Sequence, residues 1–298
     1  MKDNEIRPAS TVILVRELDE EKELQVYLLK RSGKSGFFPG SYVFPGGTLD
    51  PDEWENNLWQ DHLDLSVEEL SAKFGPVLPI NALIPYGVAA VRETLEEAGV
   101  FLAKRQTGIS ESSENVCERP NLESQVSGWF RRKVLEEGWN LSFSKLFPWS
   151  HWITPEAMPK RFDTRFFLAL MPVGQVCRPD ERETTQGVWI SPLKALEANA
   201  RGEILLSPPT LVTLHGLLSF ESLEALIEAA KTRFWGDPIR PILFLKKGER
   251  FLIEPWDPDY GQEPKIGEVD LKDLVLPVGE SFSRLWMQEG IWRPIKRD

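Results

Sequence analysis

At 298 residues, with 41% apolar and 27% charged residues, the chain is long enough to bury a sizeable core in one large domain or two smaller ones. A formal net charge of -11 excludes a broad basic face for duplex DNA or anionic membranes, because neutralising phosphates takes clusters of Lys and Arg. A small anionic ligand is compatible with that charge if a bound cation or local positive charge receives it. No run approaches the roughly 20 apolar residues of a membrane span, and "MKDNEIRPAS" has no apolar signal core. Cys117 and Cys177 read as free thiols of a reducing cytosol, and the closing "PIKRD" differs from an S-K-L peroxisomal address, so a cytoplasmic location is expected.

"STVILVRE" (10–17) and "LQVYLLKR" (24–31) are apolar, β-branched runs around a charged turn and predict a hairpin. The Gly- and Pro-rich segment 31–47 predicts a loop with one short strand, "YVF". Trp54, Trp59 and Leu63 suit one helix, and "SVEELSAKF" carries a capping box from Ser66 to Glu69. Pro76, Pro79 and Pro85 interrupt the chain, so the next helix is expected from about Tyr86 to Ala98, with Gly99 as its C-terminal cap. Residues 103–121 read as a polar surface loop and 122–138 as a helix. Extended segments follow at "FPWSHWITP", "RFFLALMPV" and "QGVWIS", then a helix entered through Pro192 and two more within 208–234. "RPILFLKKGERFLIEP" predicts a hairpin turning at Lys247-Gly248, and the remainder is Pro- and Gly-rich with a short apolar end. Strands and helices mix without regular βαβ alternation, which favours a mixed sheet flanked by helices.

The helix "AAVRETLEEAG" (89–99) crowds Glu93, Glu96 and Glu97 within an arc of about 100°, opposite Val88, Val91, Leu95 and Ala98. Like charges so spaced destabilise a helix. Taken alone, this is either a solvated acidic face or a site for a hard divalent cation, which takes carboxylate oxygens and bridges them to substrate phosphates. Arg92 flanks the face and can pin a carboxylate.

Upstream lies "FPGGTLDPDE" (44–53). Gly47, five residues, Glu53, and then Arg92, Glu93, Glu96, Glu97 and Gly99 together resemble the Nudix hydrolase box. In the usual pattern seven residues join the first Glu to the Arg. Here residues 54–91 do, which leaves the role of Glu53 open. Thr94 stands where an aliphatic residue is usual. The insertion, "LLKRS…SGFFPGSYVFPGG", "WITP…KRFDTRFF" and "SPP" resemble a Nudix subfamily that includes the peroxisomal coenzyme A diphosphatases, over most of residues 8–220.

That resemblance implies an α/β/α sandwich with a mixed sheet: a Nudix domain over 8–235, an insertion at about 54–84, and a C-terminal extension, 236–298, packed on the same domain. It implies metal-dependent hydrolysis of a diphosphate, with coenzyme A or acyl-coenzyme A as substrate and 3',5'-ADP and a 4'-phosphopantetheine as products. Mg²⁺ or Mn²⁺ would be held by Glu93, Glu96, Glu97 and the Gly46 carbonyl. Glu93 or the later Glu183 would be the general base, and Arg92 would orient a carboxylate. Arg31, Phe44, Gly47 and Arg165 are the candidate substrate contacts. A homodimer is compatible with the family. ADP-ribose or a dinucleotide is the alternative substrate, and a non-catalytic nucleotide sensor is the alternative of another class. "GKS" (33–35) lacks the earlier Gly of a Walker loop, since Leu28 stands there, and His62, His151 and His215 show no metal spacing.

Overall fold

The computed structural model describes residues 5–18, 22–33, 38–106, 128–180, 184–262 and 270–297. Strand β1 (Ile6–Leu18) is central. It pairs antiparallel with β2 (Glu23–Arg31) and with the short β4 (Gly46–Thr48), and parallel with β8 (Arg161–Leu170). β3 (Tyr42–Val43) and β9 (Thr184–Ile190) extend the sheet beside β2, and β7 (Phe147–Ile153) beside β8. The sheet is therefore mixed, as the irregular strand spacing suggests.

Both faces of β1 are covered, which is why "TVILV" is continuously apolar rather than alternating. Val12 and Leu14 join Leu29 and Phe167 in a core under helices α1 (Asn56–Gln60), α2 (Val67–Phe74), α3 (Ile80–Ala98) and α4 (Trp129–Glu137). Ile13 and Val15 join Leu28 and Leu168 in a second core under α5 (Pro192–Ala200), α6 (Pro208–Leu217) and α7 (Leu223–Lys231). The capping box at the start of α2 is formed by Ser66 and Glu69. A small ribbon, β5 (Ala103–Arg105) with β6 (Trp139–Leu141), flanks the first core. Among the described residues no helix is long and apolar enough to cross a membrane.

Two expectations are corrected. Helix α3 begins at Ile80, not Tyr86, and runs through Pro85. Proline has no N–H to donate to the carbonyl four residues back, and that carbonyl, of Asn81, instead accepts a hydrogen bond from Asn56 Nδ2 at 3.0 Å. The insertion thus supplies the donor that the proline lacks. In addition, Trp54 and Trp59 do not share a helix: Trp54 ends a 3-10 turn, and Trp59 lies on the five-residue α1.

The C-terminal segment adds a second antiparallel sheet, β10 (Ile242–Lys246), β11 (Glu249–Ile253), β12 (Arg284–Gln288) and β13 (Ile291–Ile295). The turn at Lys247-Gly248 has positive φ at both residues, as expected for a tight hairpin. β12 and β13 form a further hairpin where the sequence predicts only a short apolar end. Leu252, Leu285 and Trp292 enter the second core. Asn199 Nδ2 donates to the Trp292 carbonyl at 3.1 Å, and Arg293 Nη1 to that of Ala200 at 2.8 Å, which ties this sheet to α5.

Candidate active site

The sheet presses the "PGG" loop against α3. Ala9, Ser10 and Thr11 on β1 pair with Thr48, Gly47 and Gly46. The Gly46 amide donates to Glu97 Oε2 at 2.9 Å. At Gly46 a Cβ would overlap the Ser10 and Thr11 backbone, so only glycine fits there; at Gly47 it would meet the Glu93 carboxylate, which would have to move aside. Helix α3 ends at Gly99 with φ 69°, the left-handed cap read from the sequence.

Arg92 is the hub. Its Nε donates to Glu53 at 2.7 Å, its Nη1 to Glu93 at 2.8 Å and Glu96 at 2.7 Å, and its Nη2 to the Thr48 carbonyl at 2.8 Å. Glu53, also bonded to the Asp50 amide at 2.7 Å, is thus carried back to the helix despite the insertion. Trp129 Nε1 donates to the other oxygen of Glu96 at 3.0 Å. Thr94, in the usually aliphatic position, is fully buried and satisfies its hydroxyl on the Ala90 carbonyl at 2.7 Å. The carboxylate face is not a solvated one, since Glu97 is only 7% exposed.

Burial shifts these groups. It pushes the Glu53 carboxyl up to about 8, against the opposing pull of Arg92 and the Asp50 amide. It raises Glu96 as well, again against Arg92 and Trp129. Burial also opposes the charge on Arg92, yet Glu93, Glu53 and Glu96 together hold its guanidinium well above the usual arginine value. Arg92 is therefore ionised, and more carboxylates surround it than it can neutralise.

Glu93, Glu96 and Glu97 open onto a cavity of about 1010 Å³. Arg31, Phe44, Gly46 and Gly47 line it too. Arg165 does not. In β8 its neighbours Thr164 and Phe166 face the cavity, so strand alternation sends Arg165 to the opposite face. There its guanidinium lies 5.8 Å from the Tyr86 ring and 5.4 Å from the Trp235 ring. His151, bonded to Asp163 at 2.6 Å, does not line the cavity either. Glu183 and Cys117 fall outside the described residues. Cys177 is a free thiol whose pKa burial raises to about 12.

Asp180 was missed by the sequence reading. It lines the cavity, and its Oδ1 accepts from the Thr184 amide at 2.8 Å and hydroxyl at 2.6 Å. The signal lay in "DERETT", where a Thr four residues after an Asp can fix its carboxylate. Trp54 is exposed and Trp59 fully buried against Phe130, so neither lines the cavity.

Among the described residues no three acidic, histidine or cysteine side chains are gathered as a ready-made metal cage. The donor chemistry nevertheless fits a hard cation: three carboxylates on one helix face, with glycine backbone closing over them. Taking up the ion would exchange part of their bonding to Arg92, Trp129 and the Gly46 amide.

A family model described as the NUDT19 Nudix domain matches residues 6–217. The chain belongs to the Nudix hydrolase family. It is 28% identical over 306 residues to the acyl-coenzyme A diphosphatase NUDT19 of Xenopus laevis, covering 90% of this chain and 79% of that protein. It is 29% identical over 238 residues to the Homo sapiens protein of the same description, covering 68% and 62%. A NUDIX hydrolase from Alicyclobacillus acidocaldarius, known from a crystal structure, shares the fold: TM-score 0.62 and 23% identity, covering 78% of this chain and 99% of that one. In this Nudix hydrolase the box is interrupted in sequence and rejoined in space, with Arg92 holding Glu53 on one side and Glu93 and Glu96 on the other.

Proposed function

We propose that this Nudix hydrolase cleaves the diphosphate of coenzyme A or an acyl-coenzyme A, giving 3',5'-ADP and 4'-phosphopantetheine or its acyl derivative. The observation that carries this reading is the similarity, over 90% of the chain, to an acyl-coenzyme A diphosphatase. The cavity supports it, because carboxylates stand at one end and a wide apolar lining extends away from them.

Glu93, Glu96, Glu97 and the Gly46 carbonyl would hold Mg²⁺ or Mn²⁺. When bound, such an ion neutralises diphosphate charge and makes a neighbouring water more acidic. Arg92 orients Glu93 and Glu96 and ties them to the buried Glu53. Glu93 is the candidate base within the helix. Asp180, held by Thr184 on the cavity wall, is the candidate outside it. Arg31 takes a substrate phosphate in this reading, while Phe44 and Gly47 supply surface beside the diphosphate.

The test is a panel of coenzyme A, acyl-coenzyme A, ADP-ribose and a dinucleotide with Mg²⁺ or Mn²⁺, the products identified by mass. Release of 3',5'-ADP by the wild type is expected. Cleavage of ADP-ribose or the dinucleotide without coenzyme A overturns the substrate. Binding without cleavage of any diphosphate overturns the enzyme reading in favour of a sensor.

A further inference from the structure

The cavity runs on from the α3 carboxylates to a wall that comes from outside the matched family region. Of the C-terminal sheet, Leu243, Leu245, Arg250, Leu252 and Met287 line it. Their positions follow from register. Leu245 pairs with Arg250, Arg250 with Met287, and Met287 with Trp292; one step along, Leu243 pairs with Leu252 and Leu252 with Leu285. These are two parallel rows on one face of the sheet. The row of Leu243, Leu252 and Leu285 seats the sheet on the second core. In the row of Leu245, Arg250, Met287 and Trp292, Trp292 and Met287 rest on the same core and also line the cavity, while Leu245 is left 73% exposed at its edge.

The facing wall is also apolar. Pro155, Met158, Pro159 and Phe162, between β7 and the start of β8, line the same cavity. Both walls are continuous with Glu93, Glu96 and Glu97. An apolar lip at the mouth of a polar site is unfavourable in water unless something covers it. Methionines on both sides, Met158 and Met287, give a surface that adapts to chains of different shape.

We propose that the C-terminal sheet, through Leu243, Leu245 and Met287, grips the apolar chain of an acyl thioester substrate whose diphosphate lies at the α3 carboxylates, and so sets chain preference. This rests on the coenzyme A reading above. It assigns to the C-terminal sheet a role in selectivity, separate from bond cleavage by the domain at 6–217.

The experiment compares kcat/KM for coenzyme A, butyryl-coenzyme A and decanoyl-coenzyme A in the wild type, Leu245→Asp and Leu243→Ala. Affinity for the same compounds is measured by calorimetry in EDTA, where no turnover occurs. Leu245 is exposed, so Leu245→Asp tests the surface without disturbing the core. A methylene moved from water into an apolar cleft is worth roughly fourfold in affinity, so the wild type should favour decanoyl over butyryl chains. Leu245→Asp should lower the decanoyl-to-coenzyme A ratio at least about tenfold in both kcat/KM and affinity, with Leu243→Ala lowering it less. A ratio unchanged in both variants, or an equal fall for every compound, overturns the proposal while leaving the diphosphatase reading intact. A wild type that cleaves neither coenzyme A nor its thioesters overturns the diphosphatase reading itself.

Discussion

Two buried arginines organise this molecule, and they differ in how their charge is matched. Arg284, in the C-terminal sheet, grips Asp257 with two bonds of 2.7 and 2.9 Å and Asp259 with one of 2.7 Å, while Arg297 meets Asp259 at 3.0 Å. Two acids face two bases. Although burial opposes it, the bonds from Arg284 and Ser283 hold the Asp257 carboxyl down to about 2. Arg92 faces Glu53, Glu93 and Glu96 alone, with Asp50 at 3.7 Å and Glu97 one residue beyond Glu96. The balanced cluster does not line the cavity and the unbalanced one does. Surplus carboxylate at a cavity marks a place that needs a cation from outside the chain; balanced charge marks a place that holds the chain together.

That contrast can be broken most sharply at Glu97. Glu97→Gln, which weakens one of the carboxylates proposed to hold the ion, should lower kcat at least about 10–100-fold, the loss typical even of groups that only support a metal ligand, with the thermal midpoint little changed. An unaffected kcat would put Glu97 with the structural cluster. Arg284→Met should do the reverse. Leaving Asp257 buried and unpaired costs about 3–5 kcal/mol, read by urea unfolding, while kcat of the folded fraction holds.

A buried carboxyl with no partner among the described residues sharpens the comparison. Both oxygens of Glu254, fully buried, lack a hydrogen-bond partner among the described residues, and burial raises its carboxyl from 4.5 to about 8. The native state therefore holds this proton more tightly than the unfolded chain. Its contribution to stability is full below about 4.5 and declines as pH rises to about 8. Glu254→Gln, which has no proton to lose, should nearly match the wild type at pH 5 and exceed it at pH 9, by about 1.4 kcal/mol for each pKa unit by which burial raises the carboxyl. Equal stabilities at pH 9 would show that Glu254 has found a partner. The smallest effect is expected at Asn56, where Asn56→Ala removes one partly exposed hydrogen bond and should cost about 0.5–1.5 kcal/mol.

What was legible in the sequence was local. The β1–β2 hairpin, the Ser66 capping box, the Gly99 cap and the Lys247-Gly248 turn each depend on residues within a few positions of one another. The carboxylates of α3 were legible for the same reason, since helical spacing alone sets their common face. The start of α3 was not, because the partner that makes Pro85 tolerable lies on another element. The β12–β13 hairpin turns at Glu289-Gly290 with positive φ at both residues, the same local pattern as Lys247-Gly248, so it was equally legible. The facing of Arg165 hangs on the register of β8 beside β1, which composition does not encode. Asp180 depends on a long-range fold that brings its loop to the cavity.

The hydrogen bond that Asn56 lends to α3 also orders events in time. In the unfolded chain the first turn of that helix has a carbonyl that its own backbone cannot satisfy, at Asn81, with Pro85 standing where the donor should be. Residues 86–98 can wind as an ordinary helix, whereas 80–84 gain their last partner only when the insertion docks. The upper end of α3 should therefore be late to fold and early to exchange its amide hydrogens, while the turn bearing Arg92 and the glutamates stays protected.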